Sequence, residues 1–246
     1  MKTDIEHISL AAERWNAEQV LSWAFSTYGD RVAIATGMGA EGMVLLDIAS
    51  RINPGLKVFT GDTEFLFPET YDLIDRVEER YGVKIERILS QLSPEEQERE
   101  FGPELWATNP DRCCELRKIE PLRRKLATLD GWVTAIRRGQ TPQRASAKKV
   151  EWDPKFDLVK INPLADWRHQ TVWSYIVKHD VPYNPLHDRN YPSIGCTNCT
   201  RAVLPGEDAR AGRWSGFRKT ECGLHAAAGN TAAPPLVQLA AVGAEE

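Results

Sequence analysis

The sequence contains no run of apolar residues long enough to cross a bilayer, although 42% of its 246 residues are hydrophobic. A membrane-spanning helix needs about 18 or more such residues in succession. The N-terminal stretch mixes charges throughout and lacks a basic start followed by an apolar core, which is the pattern of a secretory signal. We therefore expect neither a membrane protein nor a secreted one, and we expect the chain in the cytoplasm.

Positive charge is not in excess either. Lysine and arginine number 31 against 35 acidic residues, which gives a net charge of −4. This balance argues against a general nucleic-acid-binding protein, in which basic residues dominate. The basic residues are nevertheless clustered, around residues 112–125 and again around residues 137–149. A charged helix face is often only solvated, so that interpretation stays open for the first cluster.

Cysteine is scarce and odd in number, with five residues in the chain. In a reducing cytoplasm a disulfide framework is not expected, so metal binding or catalysis is favoured. Cys113 and Cys114 are adjacent, Cys196 and Cys199 form a C-x2-C pair, and Cys222 stands alone. Four thiolates from two segments suit a zinc ion or an iron–sulfur cluster, and the alternative is thiols buried as small apolar groups. Successive helical residues point about 100° apart, which favours a bulky cluster over one small ion.

The two common nucleotide-binding motifs are missing from the glycine-rich turn TGMGAEG, residues 36–42, which is neither G-x-G-x-x-G nor G-x-x-x-x-G-K-S/T. The turn nevertheless follows a predicted strand and begins a helix, so backbone N–H groups and a positive helix end meet there. It predicts either an anion-binding cradle or an ordinary tight turn. Arg137 and Arg138 follow the fourth predicted strand, at the edge where open α/β sheets bind ligands, and guanidinium groups match phosphate or sulfate oxygens.

Strands and helices alternate along much of the chain, which predicts an α/β fold with a mostly parallel twisted sheet flanked by helices. Asn16 and Pro68 mark helix starts, and Gly82 marks a helix end. The predicted strands cover residues 31–36, 56–60, 83–89, 132–137 and 157–164, and the predicted helices cover residues 17–28, 43–52, 68–81, 112–129 and 170–179. Beyond Val181 the density of proline, glycine and asparagine predicts irregular chain.

We divide the chain into three parts. Residues 1–205 form an α/β domain that binds nucleotide and metal, residues 206–225 form a mobile C-terminal segment, and residues 226–246 form an alanine-rich tail that we expect to be disordered.

Cys222 lies in KTECGLH near the end of the chain, where Arg218, Lys219 and His225 would favour its thiolate. Once four cysteines bind metal, the chain has no second thiol to resolve an intermediate on Cys222, so an outside thiol would have to do so. The plain alternative is that this lone cysteine is incidental.

Taken together, these segments resemble the assimilatory adenylyl-sulfate reductase family, the cluster-containing relatives of phosphoadenylyl-sulfate reductase. The resemblance spans roughly residues 33–225 and rests on TGMGAEGMVLLDI, GDTEFLFPETYDLIDRVEERYGV, DRCCELRKIEPL, WVTAIRRGQTPQRA, PYNPLHDRNYPSIGCTNCTRAV, GEDARAGRW and KTECGLH. It implies an adenine nucleotide alpha-hydrolase-like fold, a [4Fe-4S] cluster, and reduction of adenosine 5′-phosphosulfate to sulfite and AMP with thioredoxin as reductant.

The resemblance also implies roles for individual residues. Cys222 would be the nucleophile, and Lys118 would lie between cluster and substrate. The cluster ligands would be Cys113, Cys114, Cys196 and Cys199. The residues expected to contact the nucleotide or its phosphosulfate are Thr36, Gly37, Gly39, Glu41, Asp62, Thr63, Arg137 or Arg138, Arg210, Arg213 and His225.

The sequence departs from the usual family motifs S-F-x-A-E-D and L-D-T-G, where Met38, Gly42 and Glu64 stand instead. Three alternatives stay open at this point. They are a reductase of the 3′-phosphorylated substrate, a non-catalytic metal-stabilised nucleotide-binding protein, and an ATP pyrophosphatase, whose loop would read S-G-G-x-D-S. We expect thioredoxin to be a separate protein, and the sequence leaves open whether the chain forms a homo-oligomer.

Overall fold

The computed structural model describes residues 2–217, 219 and 221. Its strands are β1 Val32–Thr36, β2 Val58–Asp62, β3 Ile85–Leu89, β4 Gly131–Val133, β5 Val150–Asp153 and β6 Leu158–Ile161. They form one sheet in the order β3-β2-β1-β4-β6-β5, and every neighbouring pair is parallel except β5 with β6. The predicted mostly parallel sheet is confirmed. Strand order reverses between β1 and β4, which is where open α/β sheets form their ligand crevice.

Helices flank the sheet, and the ends predicted from Asn16, Pro68 and Gly82 are present. The helices are α1 Lys2–Ala12, α2 Ala17–Tyr28, α3 Ala40–Ile52, α4 Pro68–Tyr81, α5 Pro94–Phe101, α6 Leu105–Thr108, α7 Pro110–Cys114, α8 Glu120–Leu126 and α9 His169–His179. The Asn16 side chain accepts the Gln19 N–H at 2.8 Å and the Gln19 side chain accepts the Asn16 N–H at 2.9 Å, which fixes the start of α2. Pro68 begins α4, and Gly82 ends it in the left-handed conformation.

The core lies in two layers because alternate residues of a strand point to opposite faces of the sheet. In β1, Val32 and Ile34 pack into the larger cluster, which also contains apolar residues of α2, α3 and α9. Ala33 between them packs on the other face with Leu122 and Leu126 of α8. A strand buried on both faces has a continuous apolar sequence, which explains the VAIAT pattern of β1.

The predicted helix over residues 112–129 is corrected by the structure. The chain forms α7, then a π-helical turn over Glu115–Ile119, and then α8. In a π-helical turn the hydrogen bonds reach one residue further than in an α-helix, so the helix widens there. This wide turn directly follows Cys113 and Cys114, and it contains Lys118.

The predicted strand over residues 132–137 is also too long, since β4 ends at Val133. Thr134 makes one more sheet-like bond, to the Ile161 carbonyl at 2.8 Å. Beyond it the neighbouring chain continues as Asn162-Pro163, and proline has no N–H with which to extend a ladder. The chain therefore leaves the sheet and turns into the loop that holds the two predicted arginines.

Other boundaries also shift. Helix α3 begins at Ala40 rather than at residue 43, and β2 occupies Val58–Asp62 rather than residues 56–60. Four elements carried no predicted assignment, namely α1, α5, α6 and the antiparallel edge strand β5.

The chain beyond α9 is irregular, as predicted, and in its described part forms only short turns and isolated bridges. The predicted tail, residues 226–246, lies outside the described residues, as does most of residues 218–225. In the part of the chain that the structure describes, no helix is both long and apolar enough to cross a membrane.

Gly42, in the first turn of α3, packs against Thr36, and a Cβ built there would lie 2.5 Å from the Thr36 Oγ1. That hydroxyl accepts the Met38 N–H at 3.0 Å. We therefore expect Gly42→Ala to lower the free energy of unfolding in denaturant by about 1–3 kcal/mol, despite the better helix propensity of alanine. The control is Gly61→Ala, where a Cβ meets no heavy atom within 4 Å. A Gly42→Ala protein as stable as wild type would contradict this packing argument.

Candidate active site

The first cysteine pair ends a short helix. Pro110 begins α7, and the Asn109 side chain accepts the Arg112 N–H at 3.0 Å. Cys113 and Cys114 form the last turn of α7 and are both buried. The π-helical turn that follows brings Lys118 round to the same pocket.

The second pair is attached to the loop after β2. The N–H of Thr197 donates to the Phe65 carbonyl at 2.8 Å, and Leu66 forms an isolated bridge with Cys196. Cys199 closes a tight turn by donating to the Cys196 carbonyl at 3.0 Å. The β2 loop therefore carries the C-x2-C pair to the sheet edge where the first pair lies.

The structure brings all four predicted ligands together. Cys113, Cys114, Cys196 and Cys199 are free thiols that line one pocket together with Lys118. Burial, and then the three neighbouring thiols, raise the pKa of Cys113 to about 12, against the opposing effect of Lys118. Burial and Cys196 likewise raise the pKa of Cys199 to about 11. Thiolates in this pocket would need a positive partner, such as a bound metal centre.

Cys196 differs from its neighbours. Burial favours its neutral thiol, but Lys118, the Thr63 hydroxyl and Arg213 together outweigh burial and hold the pKa of Cys196 below its usual value. The Thr63 Oγ1 lies 3.3 Å from the Cys196 Sγ. Thr63, predicted as a nucleotide contact, thus contacts a predicted metal ligand.

The four thiols share a pocket, yet within residues 2–217, 219 and 221 no three His, Cys, Asp or Glu side chains are grouped to hold one metal ion.

Arg117 is a residue whose role the sequence did not reveal. It lies four positions after Cys113, on the same side of the helix, and its side chain is only 1% exposed. Its guanidinium donates to Gln97 Oε1 at 2.8 Å, to Glu64 Oε2 at 2.9 Å and to the Thr63 carbonyl at 3.2 Å. The side chain therefore fastens the cysteine helix to the β2 loop. The four-residue spacing from Cys113 was the only sequence signal that Arg117 faces the cysteines. It was not used, because a basic residue on a helix usually lies on a solvated face.

The glycine-rich turn after β1 forms a compact cradle. Met38 adopts a positive φ of 57°, and its N–H bonds to Thr36. Gly39 precedes α3 without a side-chain cap, which leaves the first N–H groups of that helix for a ligand. Glu41 accepts two bonds from Arg137, at 2.9 and 2.7 Å. Burial favours protonated Glu41, but Arg137 outweighs burial and lowers the pKa of Glu41.

The two arginines after β4 point to different places. Arg137 joins the cradle through Glu41, across the reversal of strand order between β1 and β4. Arg138 donates to the Ala147 carbonyl at 2.7 Å and to Glu13 at 2.6 Å, so the structure does not bring it to the cradle. The Asp62 Oδ1 at the end of β2 accepts the Tyr71 hydroxyl at 2.8 Å and the Glu64 N–H at 2.9 Å, which shapes the β2 loop.

The two arginines of ARAGRW meet at Ser193. Arg210 and Arg213 donate to the Ser193 Oγ at 3.4 and 3.3 Å. Arg213 also donates a hydrogen bond to the Ile194 carbonyl at 3.2 Å. The Nε of Arg213 is buried and has no acceptor among the described residues. A Cβ at Gly195 would lie 2.3 Å from the Arg213 Nη2, so only glycine leaves room for this guanidinium. We call Arg210 and Arg213 the arginine pair.

Cys222 and His225 lie outside the described residues, and so does every contact they make. The described chain reaches Glu221, which bonds to Arg210 and to Arg144. The residue before the predicted nucleophile is thus connected to the arginine pair.

Comparison with known proteins agrees with this geometry. Residues 31–202 match the family described as the phosphoadenosine phosphosulfate reductase domain. A protein of Shouchella clausii, strain KSM-K16, named adenosine 5′-phosphosulfate reductase, is 49% identical over 91% of this chain and 93% of its own length.

Solved structures agree as well. The phosphoadenylyl-sulfate reductase of Candida auris, solved as a phosphate complex, is 30% identical with a TM-score of 0.73, covering 82% of this chain and 98% of that one. An FMN adenylyltransferase of Candida glabrata is only 15% identical, with a TM-score of 0.55, over 78% of this chain and 63% of that one, and shares the fold alone. The predicted adenine nucleotide alpha-hydrolase-like fold is confirmed, and the chain belongs to the phosphoadenosine phosphosulfate reductase family.

Proposed function

We propose that this chain is an assimilatory adenylyl-sulfate reductase, which reduces adenosine 5′-phosphosulfate to sulfite and AMP with thioredoxin as the electron donor. The observation that carries the proposal is the single pocket that four cysteines line beside Lys118. The 49% identity to a protein named for this activity supports it. The enzyme would act in the cytoplasm, where its thiols stay reduced.

The nucleotide binds at the sheet edge where the loops after β1, β2 and β4 meet. The Gly39 turn and the N-terminus of α3 supply N–H groups and a positive helix end for the phosphate. Arg213 supports binding of the sulfate end, because its described acceptors are neutral and its Nε lacks one. Lys118 adds positive charge between the cysteines and this anion.

The residues present fit a [4Fe-4S] cluster held by Cys113, Cys114, Cys196 and Cys199. A cluster takes one thiolate on each iron, so its ligands need less crowding than those of one zinc ion. The four thiols line one pocket, and Lys118 in the same lining would offset part of the negative charge of four thiolates.

The covalent step belongs to Cys222. Its thiolate attacks the sulfonyl sulfur, the bond from that sulfur to the phosphate oxygen breaks, and AMP leaves as an anion beside the arginines. Thioredoxin's thiolate then attacks the Cys222 sulfur and releases sulfite, and its second thiol closes the thioredoxin disulfide. A bound cluster would supply fixed charge near Lys118, and electron relay is not required because thiol exchange transfers the electron pair directly.

Substrate choice tests the function. With thioredoxin present, we expect sulfite release from adenosine 5′-phosphosulfate with a kcat/KM at least tenfold above that for the 3′-phosphorylated nucleotide, or about 1.4 kcal/mol of transition-state binding. The comparison uses the same enzyme preparation for both nucleotides. A tenfold preference for the 3′-phosphorylated form would reverse the substrate, and no sulfite from either would refute the activity.

The nucleophile is tested without reductant. Wild type mixed with substrate alone should release one equivalent of AMP per site and then stop, because the S-sulfocysteine cannot turn over. Peptide mapping should locate one added sulfonate on the peptide that contains Cys222. Cys222→Ser should bind substrate and release no AMP. Continued AMP release without reductant, or a sulfonate on Cys113, would contradict this assignment.

The metal centre is tested by its content. Anaerobically purified protein should be brown, absorb broadly near ~400 nm and contain about four iron and four sulfide per chain. Cys196→Ser should lose iron and stability together, because ligand binding and folding are coupled. Cys222→Ser is the matched control and should keep its iron. Stoichiometric zinc without iron would disprove the cluster.

A further inference from the structure

Glu221 has a buried carboxylate that the proposed chemistry does not use. Its side chain is only 7% exposed. The Thr141 hydroxyl donates to Oε1 at 3.1 Å, and Oε2 accepts bonds from Arg144 at 2.9 Å and Arg210 at 3.3 Å. Both carboxylate oxygens therefore have partners, and two of the three donors are charged.

The partners of Glu221 belong to the two parts of the site that must bind substrate. Thr141 and Arg144 lie in the loop after β4, whereas Arg210 belongs to the arginine pair. A carboxylate at this junction holds the end of the described chain against both parts at once.

A continuous set of hydrogen bonds also leads from Glu221 to the nucleotide cradle. Arg144 donates to the Gln140 Oε1 at 2.7 Å, and the same oxygen accepts the Arg137 N–H at 3.0 Å. Arg137 in turn grips Glu41 in the cradle. Glu221 is thus connected to the cradle through Arg144, Gln140 and Arg137.

Lys219 provides a second attachment for this segment. Its ammonium donates to the Pro110 carbonyl at 3.2 Å and to Asp111 at 2.5 Å, at the start of the helix that ends in the first cysteine pair. Residues 219 and 221 therefore bind to opposite parts of the site, the cysteine helix and the β4 loop.

We propose that Glu221 is a positioning residue for the reaction: its carboxylate, held by Thr141, Arg144 and Arg210, fixes the chain at residue 221, which directly precedes Cys222 in the sequence. The proposal rests on the proposed function, in which Cys222 attacks the substrate. Neutralising a buried carboxylate that two guanidinium groups share leaves those groups without their charged acceptor, so the native arrangement of the chain at residue 221 is favoured over others. Attack on sulfur depends on such geometry, and a displacement of 1 Å can slow a reaction about a hundredfold.

The test compares Glu221→Gln with Glu207→Gln. Glutamine at 221 keeps the size of the side chain and can still accept from Thr141, but it removes the charge between Arg144 and Arg210. Glu207 is the matched control, because it lies in the same C-terminal segment and its carboxylate forms a partly exposed pair with Arg201, away from Arg144 and Arg210. The measurements are steady-state kcat and KM, the rate of AMP release in a single turnover without thioredoxin, and iron content.

We expect Glu221→Gln to lower both kcat and the single-turnover rate about 10- to 100-fold. The KM for adenosine 5′-phosphosulfate should change less than about threefold, because Arg210 and Arg213 remain to bind the anion. Iron content should equal that of wild type, and Glu207→Gln should stay within about twofold of wild type in every kinetic constant. A raised KM with unchanged kcat would overturn the positioning role.

Arg144 provides an internal check. If Arg144 acts through Glu221, the double variant Arg144→Ala with Glu221→Gln should be about as slow as the slower single variant, since interacting partners are not additive. A double variant whose rate falls by the product of the two single-variant decreases would overturn the proposal. Should Glu221→Gln lose iron or fold poorly, Thr141→Val removes one neutral hydrogen bond and keeps the charges. It should slow single-turnover AMP release about two- to tenfold, and an unchanged rate would overturn the proposal.

The outcomes also separate this proposal from the proposed function. AMP release that requires Cys222 but is unaltered in Glu221→Gln overturns the positioning role alone. AMP release that Cys222→Ser retains overturns the proposed nucleophile, and the role of Glu221 with it.

Discussion

The buried guanidinium of Arg117 is the interaction on which the cysteine pocket depends. It bonds at once to Gln97, to Glu64 and to the carbonyl of Thr63, and its charge lies 4.9 Å from the ring centre of Phe65. The same β2 loop pairs with the chain at residues 196–197. One side chain thus fixes the distance between two cysteine pairs that are far apart in sequence. Removing the Glu64 carboxylate would leave the buried Arg117 guanidinium without this charged partner, which is unfavourable because a buried charge needs compensation.

A second network organises the nucleotide side of the site. It runs from Glu41 through Arg137 and Gln140 to Arg144 and Glu221, across the reversal of strand order in the sheet. The two networks approach each other at residues 193–196, where Ser193 accepts from the arginine pair and Cys196 lines the thiol pocket. The short distance along the chain between these contacts explains why sulfur chemistry and anion binding can share one site.

The sequence predicted features whose causes are local. Asn16, Pro68 and Gly82 mark helix ends through their own hydrogen bonding and φ preferences, and the structure has those ends. Helix α5, PEEQEREF, was not predicted because it contains a single apolar residue and has no apolar period. In the site, cysteine identity and spacing were sufficient to predict that four thiols meet. The contact of Thr63 with Cys196 and the burial of Arg117 depend on how the β2 loop packs, which no local pattern specifies.

The charges around Glu221 explain how one carboxylate can lie among arginines without abolishing anion binding. Arg144 and Arg210 bond to the Glu221 carboxylate, and Arg213 meets Arg210 at Ser193, so three guanidinium groups share one described carboxylate and the cluster keeps a net positive charge. Arg213 bonds only to neutral acceptors in the described residues, and its side chain is the one that Gly195 accommodates. The carboxylate thus uses Arg144 and one edge of Arg210 to hold the chain, while positive charge remains for a phosphosulfate. Under the proposed function, this division of the guanidinium donors would let the same cluster bind substrate and hold Glu221, the residue that precedes the proposed nucleophile in the sequence.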